Sequence, residues 1–292
     1  MLRVQSYLTE RDVTLLGWLA DHGVLTSAQI AHALFPSLDF AQRRLKTLCA
    51  LGLTARFRPL KLEGGSYPYH YVLAQLGAQV VAAQRRQPPS RPGQARDRMR
   101  ALTSRANLAH LLRVNQFFTD LAGHARTHPG ARLERWWSTA ACARIGAFAE
   151  PGEFTTVGAY TPAIRPDGHA VYTENGRTVA IFLEHDTGSE PLHVLTGKLP
   201  RYAALSRATG RDWPVLFWLH SAAREHHLHD RLTDAQAWVT AVSVATATRD
   251  HAAAEGLSPT EAIWCLHAHP GPLLRLTDLP GNWPAGTRPI TP

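Results

Sequence analysis

The stretch from Arg165 to Tyr202 constrains the fold of this chain most tightly. It reads Arg165-Pro166-Asp167-Gly168, a run of strand character, then Phe182-Leu183-Glu184-His185-Asp186, then a helical run carrying Lys198 and Tyr202. Pro166 and Gly168 around Asp167 mark a turn into Ala170-Val171-Tyr172, and Thr178 to Leu183 is apolar and β-branched over a strand length. Two adjacent strands of this kind bring Asp167 and Glu184 together. Side chains alternate across a strand, so Glu184 and Asp186 leave one face and His185 the other. Carboxylates at the end of an apolar strand are costly unless paired, hydrated or bound to a cation, and hard oxygen ligands suit Mg²⁺ or Mn²⁺. Asp167 and Glu184 are the expected metal ligands. Pro191 suits a first helical position, and Leu192, Leu195, Leu199 and Tyr202 recur at helical spacing as a core-facing stripe. Lys198 and Tyr202, four apart, lie at one edge of that stripe. Spacing alone leaves a plainer alternative open: a turn-capping Asp167 and two surface acids.

The order Pro166-Asp167, then Glu184-His185-Asp186, resembles the PD-(D/E)XK nuclease-like superfamily. Where that second motif usually ends in Lys the chain has Asp186, so the lysine's role is lost or has moved to Lys198 on the next helix. More narrowly, Pro-Asp-Gly, Glu-x-Asp and then Lys198-Leu199-x-x-Tyr202 is similar to the replication-relaxation family of plasmid-linked proteins. The resemblance implies a nuclease-like mixed-sheet α/β domain and a role in plasmid replication and DNA relaxation, such as nicking at an origin or a transfer site. Asp167, Glu184, Asp186, Lys198 and Tyr202 are then the catalytic candidates. Tyr202 has two readings, a packing residue on the Lys198 network or a nucleophile forming a covalent phosphotyrosine. The alternative to an enzyme is a nuclease-like scaffold kept as a DNA-binding regulator of replication, transfer or transcription.

Residues 1 to about 84 read as a separate domain. Thr9 with Asp12, and Thr26 with Gln29, are helix-start signatures, and a third helix is expected from about Asp39 to Ala50. Thr54 to Arg58 alternates like a strand, Glu63 to Ser66 is a turn, and Tyr67 to Leu73 is a second strand. Three helices and a hairpin resemble a winged helix-turn-helix. Gln42, Arg43, Arg44 and Lys46 on its third helix would face bases or phosphates of double-stranded DNA, and Arg56, Arg58 and Lys61 of the wing its backbone. Across 292 residues, 31 Lys and Arg against 23 Asp and Glu give a net charge of +8, which favours a polyanionic partner. A wing that docks a protein is the competing reading. Replication or transfer proteins, or a second copy of the chain, are the protein partners expected.

Residues 85–100 form a Pro-rich basic linker, non-helical from Arg85 to Gly93, with seven Arg against Asp97 between positions 85 and 105. A long helix is expected from about Leu102 to His128, a strand from Arg132 to Ser138, a buried strand from Trp213 to Leu219, a helix from Arg224 to roughly Ala247 and a final strand over Ala262 to Leu266. Together these make residues 101–278 a mixed sheet with helices on it, followed by a Pro-rich tail over 279–292. Cys49, Cys142 and Cys265 fall in no metal-ligand spacing and read as thiols of a reducing cytoplasm. No signal segment or membrane-length apolar run is present, so a cytoplasmic location is expected. His226-His227-Leu228-His229 and His267-Ala268-His269 hint at zinc, but no Cys accompanies them and they fall on a helix face and a strand end.

Overall fold

A computed structural model describes residues 7–59, 65–149, 155–234 and 242–281 of an α+β chain. It divides into two compact units, residues 1–123 and residues 124–291.

The first unit opens on α1 (Glu10–His22), β1 (Val24–Thr26), α2 (Ser27–Leu34) and α3 (Leu38–Ala50). Both expected capping boxes form. Thr9 N–H donates to Asp12 at 2.7 Å and Thr26 N–H to Gln29 at 2.9 Å, while each threonine hydroxyl accepts from the third residue of its helix, satisfying amides that a helix start leaves orphaned. Gly23 ends α1 at φ 83°, a conformation that side-chain-bearing residues avoid. Leu15, Leu16 and Leu19 are fully buried, each contributing about 1.5–3 kcal/mol of burial. Then β2 (Thr54–Phe57) and β3 (His70–Leu73) complete an antiparallel sheet in the order β1-β3-β2.

The chain continues through α4 (Gln75–Gln84), α5 (Gln94–Thr103) and α6 (Leu108–Thr127). Residues 85–93 are non-helical as expected, but the second half of the expected linker is helix α5, and the segment is tied down. Arg85 makes two hydrogen bonds to Asp21 at 2.7 and 2.6 Å, Arg98 donates to the Ala20 carbonyl, and Leu102 is buried against Val24 and Val72. The expected helix over 102–128 is broken at residues 104–107 and restarts at Leu108, where the amide of Asn115 donates to the Val24 carbonyl and that of Gln29 to the Leu112 carbonyl.

The second unit is a six-stranded mixed sheet in the order β4 (Arg132–Ser138), β5 (Gly168–Glu174), β6 (Arg177–His185), β7 (Val215–Leu219), β8 (Val244–Thr248) and β9 (Cys265–Leu266). β4, β5 and β6 are antiparallel neighbours, β6, β7 and β8 run parallel, and β9 returns antiparallel to β8. Two short helices, α7 (Thr139–Cys142) and α8 (Thr155–Ala159), precede β5. The crossover from β6 to β7 carries α9 (Leu192–Thr196) and α10 (Leu199–Thr209); the one from β7 to β8 carries α11 (Ala222–Asp234); α12 (Arg249–Glu255) follows β8. The Leu195, Leu199, Tyr202, Leu228 and Leu232 side chains of these crossovers pack on Phe182, Val215, Phe217 and Val244 in one buried layer.

Two expectations are corrected here. The helix from Leu192 breaks at Gly197–Lys198, and of the helix expected over 224–247 the described part runs to Asp234 while Val244–Thr248 is a buried strand. β-branched Val244, Thr246 and Thr248 alternate as a strand requires, and pairing on both sides overrides the alanine content of the run. Of the Pro-rich tail, residues 282–292 lie outside the described residues. No described helix is long and apolar enough to cross a membrane.

Candidate functional site

The register of β5 and β6 sets Gly168 opposite Leu183, so the turn before β5 and the end of β6 meet. Asp167 N–H donates to the Leu183 carbonyl at 3.0 Å, and Asp167 Oδ2 accepts from the His185 N–H at 2.8 Å. One residue back along β6, Glu184 points into the layer beneath α10 and is 1% exposed. Lys198 Nζ reaches its Oε2 at 2.6 Å, and the Tyr202 hydroxyl donates to its Oε1 at 2.5 Å. The break before α10 leaves Lys198 at the helix start and Tyr202 one turn on, which directs both side chains at one carboxylate.

Burial pushes the Glu184 carboxyl up to about 7; Lys198 opposes the rise and the nearby charge of Asp167 adds to it. Burial would lower Lys198, but Glu184 and then Asp167 outweigh it and raise its pKa. Burial, and next the negative charge of Glu184, hold the Tyr202 hydroxyl well above its ordinary range.

Asp186 leaves the same face of the strand but has a different partner. Arg224 of α11 grips it with two bonds, at 3.0 and 3.1 Å, and His220 Nδ1 lies 3.6 Å away. Burial would raise the Asp186 carboxyl, and the hydrogen bonds of Arg224 bring it below the usual carboxylate range. His185 turns to the other side, its Nε2 3.3 Å from Arg249. Arg224 and His220 were not legible as site residues: they lie more than 30 positions beyond Asp186 and belong to no motif. Among the described residues, no group of three or more His, Cys, Asp or Glu is arranged to hold a metal ion.

In the first unit, Gln42, Arg43 and Lys46 are exposed on α3. The Arg43 guanidinium lies 4.8 Å from the centre of the Phe40 ring, itself 56% exposed. Arg44 is turned elsewhere: it closes on fully buried Asp12, its Nε donating at 2.9 Å and its second amine at 2.5 Å, and it also donates to the Tyr7 carbonyl. The α1 capping box thus uses Arg44, which sets it apart from the exposed Gln42, Arg43 and Lys46. Arg56 and Arg58 leave the same side of β2 and stack on Tyr69, at 4.0 and 3.9 Å from its ring centre. Lys61 lies outside the described residues.

The family model described as replication-relaxation matches residues 16–217, and the chain belongs to that family. Membership carries a role connected with plasmid replication and relaxation. No curated protein and no solved structure matches the chain.

Proposed function

We propose that this chain binds double-stranded DNA at a plasmid origin or transfer site through its first unit and nicks one strand by metal-assisted hydrolysis at Asp167, Glu184 and Lys198. The observation that carries the reading is the lysine. In a chain whose second acidic motif ends in Asp186, an ammonium from the next helix sits 2.6 Å from Glu184, with Asp167 close enough for its charge to act on the same carboxyl. Asp167 and Glu184 suit Mg²⁺ or Mn²⁺ by donor chemistry, and their mutual repulsion is the condition a shared cation relieves. Such an ion, when bound, activates a water and neutralises charge building on the phosphodiester. Lys198 holds the phosphate or the attacking water as a point charge. Tyr202 keeps Glu184 aimed; at 2% exposure, with its hydroxyl committed to Glu184, it favours hydrolysis over a covalent phosphotyrosine. Asp186, fixed by Arg224, orients water at the rim.

In this reading the first unit acts as a winged helix, with Gln42, Arg43 and Lys46 in the major groove and Arg56 and Arg58 on the backbone. A second reading, a DNA-binding scaffold without catalysis, is favoured by one observation: both oxygens of Glu184 and both of Asp186 already accept from protein donors.

The test uses supercoiled plasmid carrying its cognate origin, incubated with Mg²⁺ or Mn²⁺. Hydrolysis gives nicked circles that vanish in Asp167→Ala and Glu184→Ala and persist in Tyr202→Phe, with no protein trapped on DNA. Salt-dependent binding in a gel shift without nicking selects the scaffold reading. An adduct lost in Tyr202→Phe selects the covalent one.

A further inference from the structure

Helix α3 wears its aromatic side chain on the outside. Its core stripe is Ala41, Leu45 and Leu48, all fully buried. Phe40 falls off that stripe and is 56% exposed, whereas Phe35, in the link between α2 and α3, is 5% exposed. Helical spacing sets Phe40 in one row with Arg43 and Thr47, both exposed. The Arg43 guanidinium lies over the Phe40 ring, and its Nε donates to the Asp39 carbonyl at 3.4 Å. Cation and ring therefore hold each other in place on one flank of the helix.

The position of that ring along the chain matters as much as its exposure. Helices α2 and α3 pack on each other and are linked by Phe35, Pro36 and Ser37, and the Ser37 hydroxyl caps α3 by accepting from the Phe40 N–H at 3.4 Å. In helix-turn-helix proteins the first residues of the second helix are the ones that reach base edges, and Phe40 lies in the first turn of α3. The surroundings of the ring are not those of a protein-docking patch, whose centre is depleted of charge. Leu38, 45% exposed, is two positions from Phe40 and so faces another way, with Asp39, Gln42, Arg43 and Lys46 on the face between them. A single phenyl ring set among cations and an amide matches the major groove, where phosphates and base edges offer polar groups and the thymine 5-methyl offers the apolar one.

We propose that Phe40 is a specificity-determining residue that packs on the 5-methyl group of a thymine in the major groove of double-stranded DNA. This rests on the DNA binding proposed for the first unit and names what that unit prefers. Arg43, held on the ring, keeps its charge for a phosphate. Cytosine at the same place lacks the methyl and presents an amine donor that the ring leaves unpaired. The contact carries no charge, so it adds sequence preference without adding salt dependence.

The experiment selects duplexes from a randomised pool with the full chain and with Phe40→Ala, then measures affinity for the selected site with deoxyuridine replacing each thymine in turn. That replacement removes a methyl group and nothing else. At one thymine it should weaken the wild type by about 4-fold or more, the worth of one methyl group withdrawn from water. Phe40→Ala should bind the thymine and uracil forms alike, and its selected sites should no longer favour thymine there. Phe40→Leu, which keeps an apolar contact, should retain part of the discrimination. The slope of log affinity against log salt should be the same in all three proteins, since no phosphate contact is altered. Circular dichroism melts confirm that the fold survives each substitution. Discrimination that persists in Phe40→Ala overturns the proposal and leaves the DNA binding intact, as does a wild type indifferent to uracil at every thymine. Loss of self-association in Phe40→Ala with site preference unchanged also overturns it and assigns the ring to a second copy of the chain. A wild type without salt-dependent binding to any duplex overturns the DNA-binding reading itself, and the role of Phe40 with it.

Discussion

The two units handle charge in opposite ways. In the first, Arg43, Lys46, Arg56 and Arg58 stand in solvent, and three of them rest on the aromatic faces of Phe40 and Tyr69. In the second, Glu184 and Asp186 are buried and each of their oxygens already has a donor. An exposed cation is solvated before and after it is changed, so substituting it alters binding and leaves folding nearly untouched. A buried carboxylate has exchanged water for its partners, so removing a partner leaves desolvation uncompensated. On the proposed reading, function and stability are separable at the exposed cations of the first unit and entangled at the buried carboxylates of the second.

Arg224→Ala should break this contrast first if it is wrong. It strands Asp186, 3% exposed, with its bidentate partner gone, and an uncompensated buried charge costs about 3–5 kcal/mol. Chemical denaturation reads the loss directly, and a drop under about 1 kcal/mol, within the range of a surface pair, would erase the difference between the units.

The second prediction uses the exception within the first unit. Among the described candidate DNA contacts, Arg44 is the one that pairs with a buried carboxylate, so it should behave like the charges of the second unit. Arg44→Ala is expected to cost about 3 kcal/mol, toward the lower end for a buried pair because Thr9 still donates to Asp12. Its effect on DNA binding, compared at equal folded fraction, should leave the salt dependence unchanged. Arg43→Ala and Lys46→Ala should do the reverse, each lowering the slope of log affinity against log salt by about 1 and moving stability by no more than roughly 0.5 kcal/mol. A reduced slope in Arg44→Ala would return that residue to the DNA surface.

What could be seen beforehand follows the same line. Caps and hairpins are local, so Thr9-x-x-Asp12, Thr26-x-x-Gln29 and the strands at Thr54 and His70 are legible from neighbours three or four positions apart. The pairing of Asp167 with the end of β6 is legible too, because a hairpin joins β5 and β6. Lys198 and Tyr202 follow from helical spacing. Partners set by long-range packing leave no such trace. Asp12 carries nothing in its surroundings that names Arg44, 32 residues away, and Asp186 nothing that names Arg224, 38 away. Likewise Val244–Thr248 reads as the end of a helix until β7 and β9 pair with it on both sides, and the two histidine runs meet only because α11 crosses over β8.

The smallest effect, and the one that sharpens the contrast most finely, is the titration of Glu184. Its carboxyl rises from the usual 4.5 to about 7 in the folded chain. Between those values the folded chain holds a proton that the unfolded chain has released. The stability tied to that proton is fully present below about pH 4.5 and is lost as pH rises through 7, at a slope of at most about 1.4 kcal/mol per pH unit. Glu184→Gln keeps an acceptor for Tyr202 and cannot titrate. Denaturation midpoints of the two proteins, followed from pH 5 to 8, should therefore diverge: the wild type falls with pH relative to Glu184→Gln. Parallel curves would mean that Glu184 is ionised throughout, held by Lys198 as firmly as Arg224 holds Asp186. The two buried carboxylates would then be alike, and the proton that distinguishes the proposed catalytic carboxylate from its structural neighbour would not exist.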